Sequence, residues 1–411
     1  MASPEDRIRE LKERAMRAAG KPAPYGPDID LSQYSCTPQE CAYAEELSDI
    51  RDVDPEELAR SGVDITGKGR SGSFVQLDNT IVHRRALEKG VEILGTTEAL
   101  RKYDWAWEYF WNVVQVDADK YTADVELNGY EGYFIRALPG SRTVYPLQAC
   151  LYIRSPRLVQ RVHNIIIAEE NSELHIITGC ASDHRVDMAL HLGVSEFYVK
   201  RNAKITFTMI HNWVPGMDVR PRSGAVVEEG GVFLSNYIVM EPVRSLQLYP
   251  TARLVGEGAV ARFNSVLVAR PGVEMDVGSR VVLSAPRCSA EVVSRAITLG
   301  GSIVARGHLR GEAEEVKAHL ECRGLILEEG GGMLAIPELE ATVPNVDMSH
   351  EAAVGKIAQE EIEYLMARGL SEEEATATIV RGFLNVRIEG LPPVLEREIQ
   401  RMMEISQRSA L

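Results

Sequence analysis

Three residues whose side chains could bind a metal ion lie in the C-terminal part of the sequence. Cys322 belongs to an apolar, strand-like segment, and the neighbouring pair His350 and Glu351 begins 28 residues later, after a Gly-rich turn. A thiolate, an imidazole and a carboxylate that meet at the end of a rigid sheet can bind iron or zinc. We therefore treat these three residues as a candidate metal site. Such separations occur in many folds, so the alternative is that they are ordinary core and surface residues.

Three other cysteines offer thiol chemistry. Cys180 follows the apolar run LHIITG, and His184 comes four residues later. An imidazole beside a thiol can lower the pKa of the thiol and make it a nucleophile or a sulfur acceptor. The alternative is a buried structural cysteine beside a surface histidine. Cys36 and Cys41 have a spacing that suits a shared metal, but no second pair lies nearby, and we interpret them as free thiols.

Composition limits the class of protein. The chain has 411 residues and a formal net charge of -15, which argues against a nucleic-acid or anionic-membrane partner. Six irregularly spaced cysteines indicate reduced thiols rather than a disulfide framework. The first twenty residues are charged and lack the apolar core of a secretory signal, and no later run approaches a membrane span. We expect a soluble cytoplasmic protein.

Residues 1–125 are predicted to form a mainly helical N-terminal region. A first helix covers residues 3–20, and a second helical pattern runs from about Ala86 to Val114, where an aromatic stripe predicts packing on a sheet. The stretch from Gly67 to Gly72 matches G-x-G-x-x-G. A strand-like run follows it instead of the helix that phosphate binding requires, so we interpret it as a turn.

Residues 126–349 are predicted to form the core of the fold. More than a dozen short apolar or alternating runs are separated by Gly, Asn, Asp, Ser or Pro, without a blade signature or a fixed repeat. Both faces of many runs carry apolar or small residues, which favours stacked coils over a half-solvated antiparallel sheet. We predict a mainly β chain with a right-handed parallel β-helix core, flanked by N-terminal and C-terminal helical regions.

Residues 350–411 are predicted to form a C-terminal helical region. Ser371 and Glu374 have the spacing of a capping box at the start of one helix, and a last helix begins near Pro393. A helical tail that exposes Met and Phe would offer a docking surface for a partner. The alternative is that it simply packs back onto the sheet.

The segment from Ser349 to Phe383, SHEAAVGKIAQEEIEYLMARGLSEEEATATIVRGF, resembles the corresponding region of the SufB/SufD family of iron-sulfur cluster assembly scaffolds. Upstream, IHNWVPG is similar to the SufB stretch QNWFPG, TGC to its Glu-Gly-Cys, and CLYIRS to its Thr-Tyr-Phe-Arg-Ile. Cys322 precedes His350 by the spacing of the SufB cysteine that ligates the nascent cluster. The resemblance covers roughly residues 100–405, and the first hundred residues match poorly.

The resemblance implies a role for each matching residue. Cys322 would be the main thiolate ligand of a transient iron-sulfur cluster, and Glu351 a carboxylate ligand or an aid to iron entry. Cys180 would accept sulfur delivered as a persulfide. A path inside the β-helix from the acceptor to the cluster would be lined by Arg154, His211 and Trp213.

The sequence also departs from the family pattern. His211 replaces the usual Gln, Pro156 stands where SufB has Asn, and the Lys expected near Val227 is absent. His350 aligns with a His that SufD contributes, so this chain combines a SufD-like Ser-His with a SufB-like Glu351. We therefore expect a homodimer joined through the β-helix ends, in which the two protomers share one cluster.

The resemblance implies partners as well. The chain has no G-x-x-x-x-G-K-[ST] motif, so we expect a scaffold rather than an enzyme, with ATP hydrolysis supplied by a SufC-like ABC ATPase docked on residues 358–384. A cysteine desulfurase system would donate the sulfur. One alternative is a SufD-like structural subunit without its own cluster. The other is a β-helix enzyme acting on a polysaccharide, for which no convergent carboxylates are visible.

Overall fold

The computed structural model describes residues 4–34, 41–51 and 53–384. The helices are α1 (Pro4–Ala18), α2 (Pro55–Arg60), α3 (Thr96–Lys102), α4 (Lys120–Leu127), α5 (Gln359–Met366) and α6 (Glu372–Leu384). The early strands are β1 (Gly72–Leu77), β2 (Thr80–Ala86), β3 (Val91–Gly95), β4 (Tyr133–Ala137), β5 (Leu147–Ile153), β6 (Val159–Ala168), β7 (Glu173–Ser182), β8 (Ala189–Val199), β9 (Lys204–Asn212), β10 (Met217–Val219) and β11 (Arg222–Val227). The later strands are β12 (Val232–Val239), β13 (Ser245–Leu248), β14 (Thr251–Leu254), β15 (Val260–Ala269), β16 (Glu274–Leu283), β17 (Ser289–Thr298), β18 (Ser302–Gly311), β19 (Val316–Ile326), β20 (Gly332–Ala341) and β21 (Val346–Gly355).

The strands wind into a parallel β-solenoid of about eight turns. One sheet stacks β1, β5, β7, β9, β12, β15, β17, β19 and β21, and the opposite sheet stacks β4, β6, β8, β11, β14, β16, β18 and β20. Parallel neighbours need a crossover, and here each crossover is the strand of the other sheet. The predicted β-solenoid core flanked by helical regions is confirmed.

The core lies between the two sheets. Successive side chains along a strand point to opposite faces, so alternate residues of each strand enter the interior. The resulting cluster extends from Phe74 at the first turn to Cys322 near the last. Where other segments cover the outside of the solenoid, both faces of a strand are buried. Such strands lack the apolar–polar alternation of a one-sided sheet, as the sequence indicated.

Antiparallel strands close the first turn. β2 pairs with β1 and β3 pairs with β4, both antiparallel, and the free side of β2 receives a backbone hydrogen bond from Ala44 to Val82. Positive φ values at Gly67 and Gly69 confirm the turn that leads into β1. Strand pairing therefore begins inside the region that the sequence predicts to be mainly helical.

The predicted long helix from Ala86 to Val114 is wrong. That segment holds β3, α3 and a 3-10 turn over Asp104–Tyr109, after which Trp111 adopts a positive φ of 52°. The buried carboxylate of Glu196 explains why the helical segment ends after Tyr109, because it accepts hydrogen bonds from the backbone N–H groups of residues 111–114. A chain that donates four consecutive N–H groups to one carboxylate cannot continue as a helix.

The last turn of the solenoid is open to solvent. β20 and β21 are the outermost strands among the described residues, and most of their side chains are half-buried or exposed. β21 runs to Gly355, so the predicted boundary at residue 349 falls inside a strand. α5 and α6 follow, with the predicted capping box formed between Ser371 and Glu374. The predicted helix from Pro393 lies outside the described residues.

None of the helices in the described ranges has the length and apolar character needed to cross a membrane.

Candidate functional site

Two cysteines named from the sequence face the same interior. Cys180 lies on β7 and Cys322 on β19, both side chains belong to the core cluster, and both residues are fully buried. The sheet order places β9, β12, β15 and β17 between them. With a spacing of about 4.8 Å between neighbouring strands, the two thiols lie on the order of 24 Å apart along the solenoid axis.

His211 is the neighbour of Cys180 in the ladder. The two residues are register partners on β7 and β9, so their side chains enter the interior side by side. Burial raises the pKa of the Cys180 thiol well above its ordinary value. His184 turns away from the thiol, because its Nδ1 lies 3.3 Å from an oxygen of Glu57 at the surface. The interpretation of His184 as the residue that lowers the pKa of Cys180 is therefore wrong.

The buried rings around His211 form a polar cluster. Tyr237 Oη and His211 Nδ1 are 3.2 Å apart, and the Trp213 ring lies between the imidazoles of His211 and His191, with centroids 5.7 and 5.3 Å away. Burial lowers the pKa of His211 well below its usual value, and the His191 imidazole lowers it further. His211 Nε2 and Trp213 Nε1 have no hydrogen-bond partner within the described residues.

Arg154 does not join this cluster. The inward-facing residues of β5 include Leu151 and Ile153, so Arg154 follows on the outward side. Its backbone N–H donates to Asp78 Oδ1 at 2.9 Å, and its Nη2 donates to Cys41 Sγ at 2.8 Å. Of the three residues expected to line an internal path, His211 and Trp213 are inside and Arg154 is outside.

A column of hydroxyl-bearing residues lies in register with Cys322 on the strands between the two thiols. Register pairing aligns Tyr237, Ser265, Ser294 and Cys322 on successive strands, all facing inward. Ser265 Oγ donates to Ser294 Oγ at 3.1 Å. A cavity of about 40 Å³ borders the first part of this column, where Tyr237 and Ser265 line it. Local sequence pattern does not reveal the alignment of Tyr237, Ser265 and Ser294 with Cys322, because this alignment depends on the length of each turn.

The candidate metal ligands are only partly brought together. Cys322 pairs with Ala352 and Leu320 with His350, so the thiol and the imidazole lie on one face of adjacent strands, offset by two residues. Burial raises the pKa of Cys322 to about 11. Glu351 pairs with Glu321 on the opposite, outer face. There it accepts a hydrogen bond from Arg323 at 3.1 Å, so one chain does not place all three groups together.

A second group of side chains that could bind a metal ion lies outside the solenoid. One ligand atom each from Asp54, Glu57 and His184 fall within 4.8 Å of one another. The two carboxylates already have structural partners, since Asp54 caps α2 and Glu57 accepts a hydrogen bond from the Tyr152 hydroxyl at 2.5 Å. The sequence analysis did not identify this group.

The fold and site define a parallel β-solenoid protein with the thiols of Cys180 and Cys322 in its interior. Residues 151–383 match the family description "SUF system FeS cluster assembly, SufBD core domain". The chain belongs to the SufBD family of iron-sulfur cluster assembly proteins.

Relatives support this over nearly the whole chain. The chain is 48% identical to an iron-sulfur cluster assembly SufBD family protein of Methanothermobacter thermautotrophicus (strain Winter), over 97% of this chain and 99% of that one. It is 50% identical to one from Archaeoglobus fulgidus, covering 87% and 96%. A third, from Pyrococcus horikoshii, is 31% identical, covering 92% and 86%.

Proposed function

We propose that this protein is a scaffold on which an iron-sulfur cluster is built before transfer. Cys180 accepts sulfur as a persulfide, and Cys322 is the main thiolate ligand of the nascent cluster, which is cargo rather than a resident cofactor. The observation that carries the proposal is that both thiols are buried and face one interior, with a column of hydroxyl-bearing residues on the strands between them. A persulfide is lost readily in water, and this interior excludes bulk solvent.

Cluster binding at Cys322 needs groups from a second chain. His350 lies about 8 Å from Cys322 between Cα atoms, given the strand spacing and the offset of two residues. Glu351 faces outward, so we propose a homodimer through the open last turn, in which Cys322 of one protomer and His350 or Glu351 of the other share a cluster. Exposure of β21 on both faces supports this arrangement.

Further partners follow from the same proposal. A SufC-like ABC ATPase docks on α5 and α6 and supplies ATP hydrolysis, so the chain itself is not an enzyme. A cysteine desulfurase system supplies the persulfide, and assembly takes place in the cytoplasm. The exposed large side chains of Tyr364 and Met366 on α5 support a docking role for these helices.

The first test is anaerobic reconstitution with iron and sulfide, followed by visible absorption and Mössbauer spectra. We expect Cys322→Ala to lose most of the iron and sulfide bound per chain, because a thiolate is the strongest ligand of the set. Cys288→Ala is the matched control, since Cys288 is an equally buried thiol whose Sγ donates to the Gly256 carbonyl at 3.2 Å. Undiminished cluster yield in Cys322→Ala contradicts the proposal.

The placement of Glu351 favours one alternative function. Because Cys322 and Glu351 lie on opposite faces within one chain, the protein would then be a SufD-like structural subunit that supports a partner and holds no cluster. The same experiment distinguishes the two. Reconstitution that leaves the wild type without a cluster, while the ATPase partner still binds, supports the structural subunit.

A further inference from the structure

We propose that Cys180 and His211 form a catalytic dyad in which the imidazole takes the thiol proton during sulfur uptake, with Tyr237 positioning the imidazole. This inference rests on the proposed role of Cys180 as the sulfur acceptor and adds the group that activates it. His184, the other imidazole near Cys180 in the sequence, lies at the surface, where its side chain is 70% exposed and paired with Glu57.

The pairing of β7 with β9 places the two residues of the dyad next to each other. Cys180 on β7 and His211 on β9 are direct partners in a parallel ladder, so their Cα atoms are about 4.8 Å apart and their side chains share the inward face. His211 is 2% exposed, and its Nε2 is a buried ring nitrogen without a partner among the described residues. A buried polar atom without a partner costs free energy, which is consistent with a role for that atom in chemistry.

Tyr237 fixes the orientation of the imidazole. Its Oη lies 3.2 Å from His211 Nδ1. In the tautomer whose Nδ1–H donates to the Tyr237 oxygen, the Nε2 lone pair remains free to accept a proton. The side chains supply the three parts of an activated nucleophile, namely the thiol, a base on the neighbouring strand and a third group that orients the base. The described residues show no hydrogen bond between the thiol and Nε2, so the two groups approach each other when the donor binds.

Burial explains why the thiol needs a base. Around the pair, the titratable groups that face the interior are Tyr133, Tyr237 and His191, and Cys150 lies in the neighbouring strand on the outer side. None of these is a cation that would stabilise a thiolate. Burial raises the pKa of the thiol and lowers that of the imidazole, so both partners are neutral at rest.

The step balances without an oxidant. The donor is a persulfide, R–S–SH. As Cys180 Sγ attacks the outer sulfur, its proton passes to His211 Nε2, the S–S bond of the donor breaks, and an S–S bond forms on Cys180. The departing thiolate takes the proton back from the imidazolium, which gives R–SH and the Cys180 persulfide.

The test measures sulfur uptake at two thiols of the same protein, Cys180 and Cys150, in a single reaction. The full-length protein is mixed with a small organic persulfide at pH 6 to 9, alkylated at intervals, and the Cys180 and Cys150 peptides are quantified by mass spectrometry. Cys150 is an equally buried internal control, and burial raises its pKa to about 12. The histidine in its row, His83, is two strands away and has both ring nitrogens hydrogen-bonded. The ratio of the two rates cancels changes in the donor.

In the wild type, the Cys180/Cys150 rate ratio should fall about tenfold per pH unit, because the Cys150 rate follows thiolate formation while the neutral imidazole keeps the Cys180 rate constant. In His211→Gln, which keeps hydrogen-bonding capacity without a base, the Cys180 rate should fall by about 10²-fold and the ratio should become independent of pH. Tyr237→Phe should show a smaller loss with the wild-type pH dependence.

The outcomes separate the two proposals. If Cys180 gains sulfur in the wild type and His211→Gln has the same rate and pH dependence, the dyad is overturned and the acceptor role stands. If Cys180 of the wild type gains no sulfur while Cys150 does, the acceptor role itself is overturned. A misfolded variant is recognised by a changed Cys150 rate, and Tyr237→Phe then decides: a Cys180 rate equal to that of the wild type overturns the dyad.

Discussion

Two buried glutamates in the N-terminal half differ in the number of hydrogen bonds that their carboxylates accept. Glu196 is fully buried and accepts four backbone N–H groups from residues 111–114, along with a contact of 2.9 Å to His163 Nε2. Among the described residues, Glu126 has a single hydrogen-bond donor, Trp111 Nε1 at 2.8 Å. Burial outweighs that one hydrogen bond and raises the pKa of Glu126 to about 6.

This difference gives a pH-dependent stability. The folded state holds the Glu126 proton between the ordinary pKa of 4.5 and about 6, so the free energy of unfolding falls as pH rises through that window. Glu126→Gln mimics the protonated form. We expect the stability of this variant relative to wild type to improve by about 2 kcal/mol between pH 4 and pH 7, measured by urea unfolding at both pH values.

The matched control is Glu5→Gln, which changes an exposed carboxylate on α1 and should show no such difference. A Glu126→Gln effect that is the same at pH 4 and pH 7 contradicts the assignment.

At the scale of elements, α5 and α6 form a small unit beside the last turns of the solenoid. α6 touches the sheet where Phe383 lies under the Arg295 guanidinium, 5.9 Å from the ring centroid. α5 presents outward-facing Tyr364 and Met366, which are 57% and 40% exposed. Exposed aromatic and Met side chains on an anchored helix suit a protein partner.

We expect the double variant Tyr364→Ala and Met366→Ala to lower affinity for a SufC-like ATPase at least tenfold, because Tyr is enriched among the few interface residues whose truncation costs about 2 kcal/mol or more. Titration calorimetry with the purified ATPase would measure this. Met16→Ala, which removes a 59% exposed side chain from α1, is the control and should bind normally. Equal affinity of the double variant and the control would exclude α5 as the docking element.

Local pattern predicted most strands between Tyr133 and Ile326, the Gly67 turn and the capping box at Ser371, because each depends on residues close in sequence. It did not predict which residues face each other across turns. Cys180 pairs with His211 over 31 residues, whereas Ser294 pairs with Cys322 over 28. One extra residue in a turn moves a side chain to the other face. The neighbours of Cys180 and the outward position of Glu351 therefore required the structure.

At the scale of the whole molecule, the two ends of the solenoid differ. Antiparallel β2 and β3 cover the first turn, while β20 and β21 form the last turn of the solenoid and carry exposed apolar side chains: Leu334, Leu339 and Val354. Exposed strand edges and apolar side chains of this kind are sites of association. We assign the homodimer contact to this end.

Val354→Lys should weaken the dimer, because Val354 is 41% exposed on the outermost strand and a charge there would be buried on pairing. Sedimentation velocity should show a shift from dimer to monomer. Val255→Lys, at a 45% exposed position beside the middle of the solenoid, should remain dimeric. A dimeric Val354→Lys variant would move the contact elsewhere.

The covered first turn limits how far association can go. A solenoid whose terminal strands are exposed at both ends can bind another copy at each end and grow into a fibre. A solenoid with exposed terminal strands at one end only can bind a single further copy there. Its only self-complementary contact is consumed when two copies meet about a two-fold axis, and growth terminates there. In the proposed homodimer, the hairpin of β1 and β2 would therefore prevent further addition at the first turn and limit the assembly to two copies.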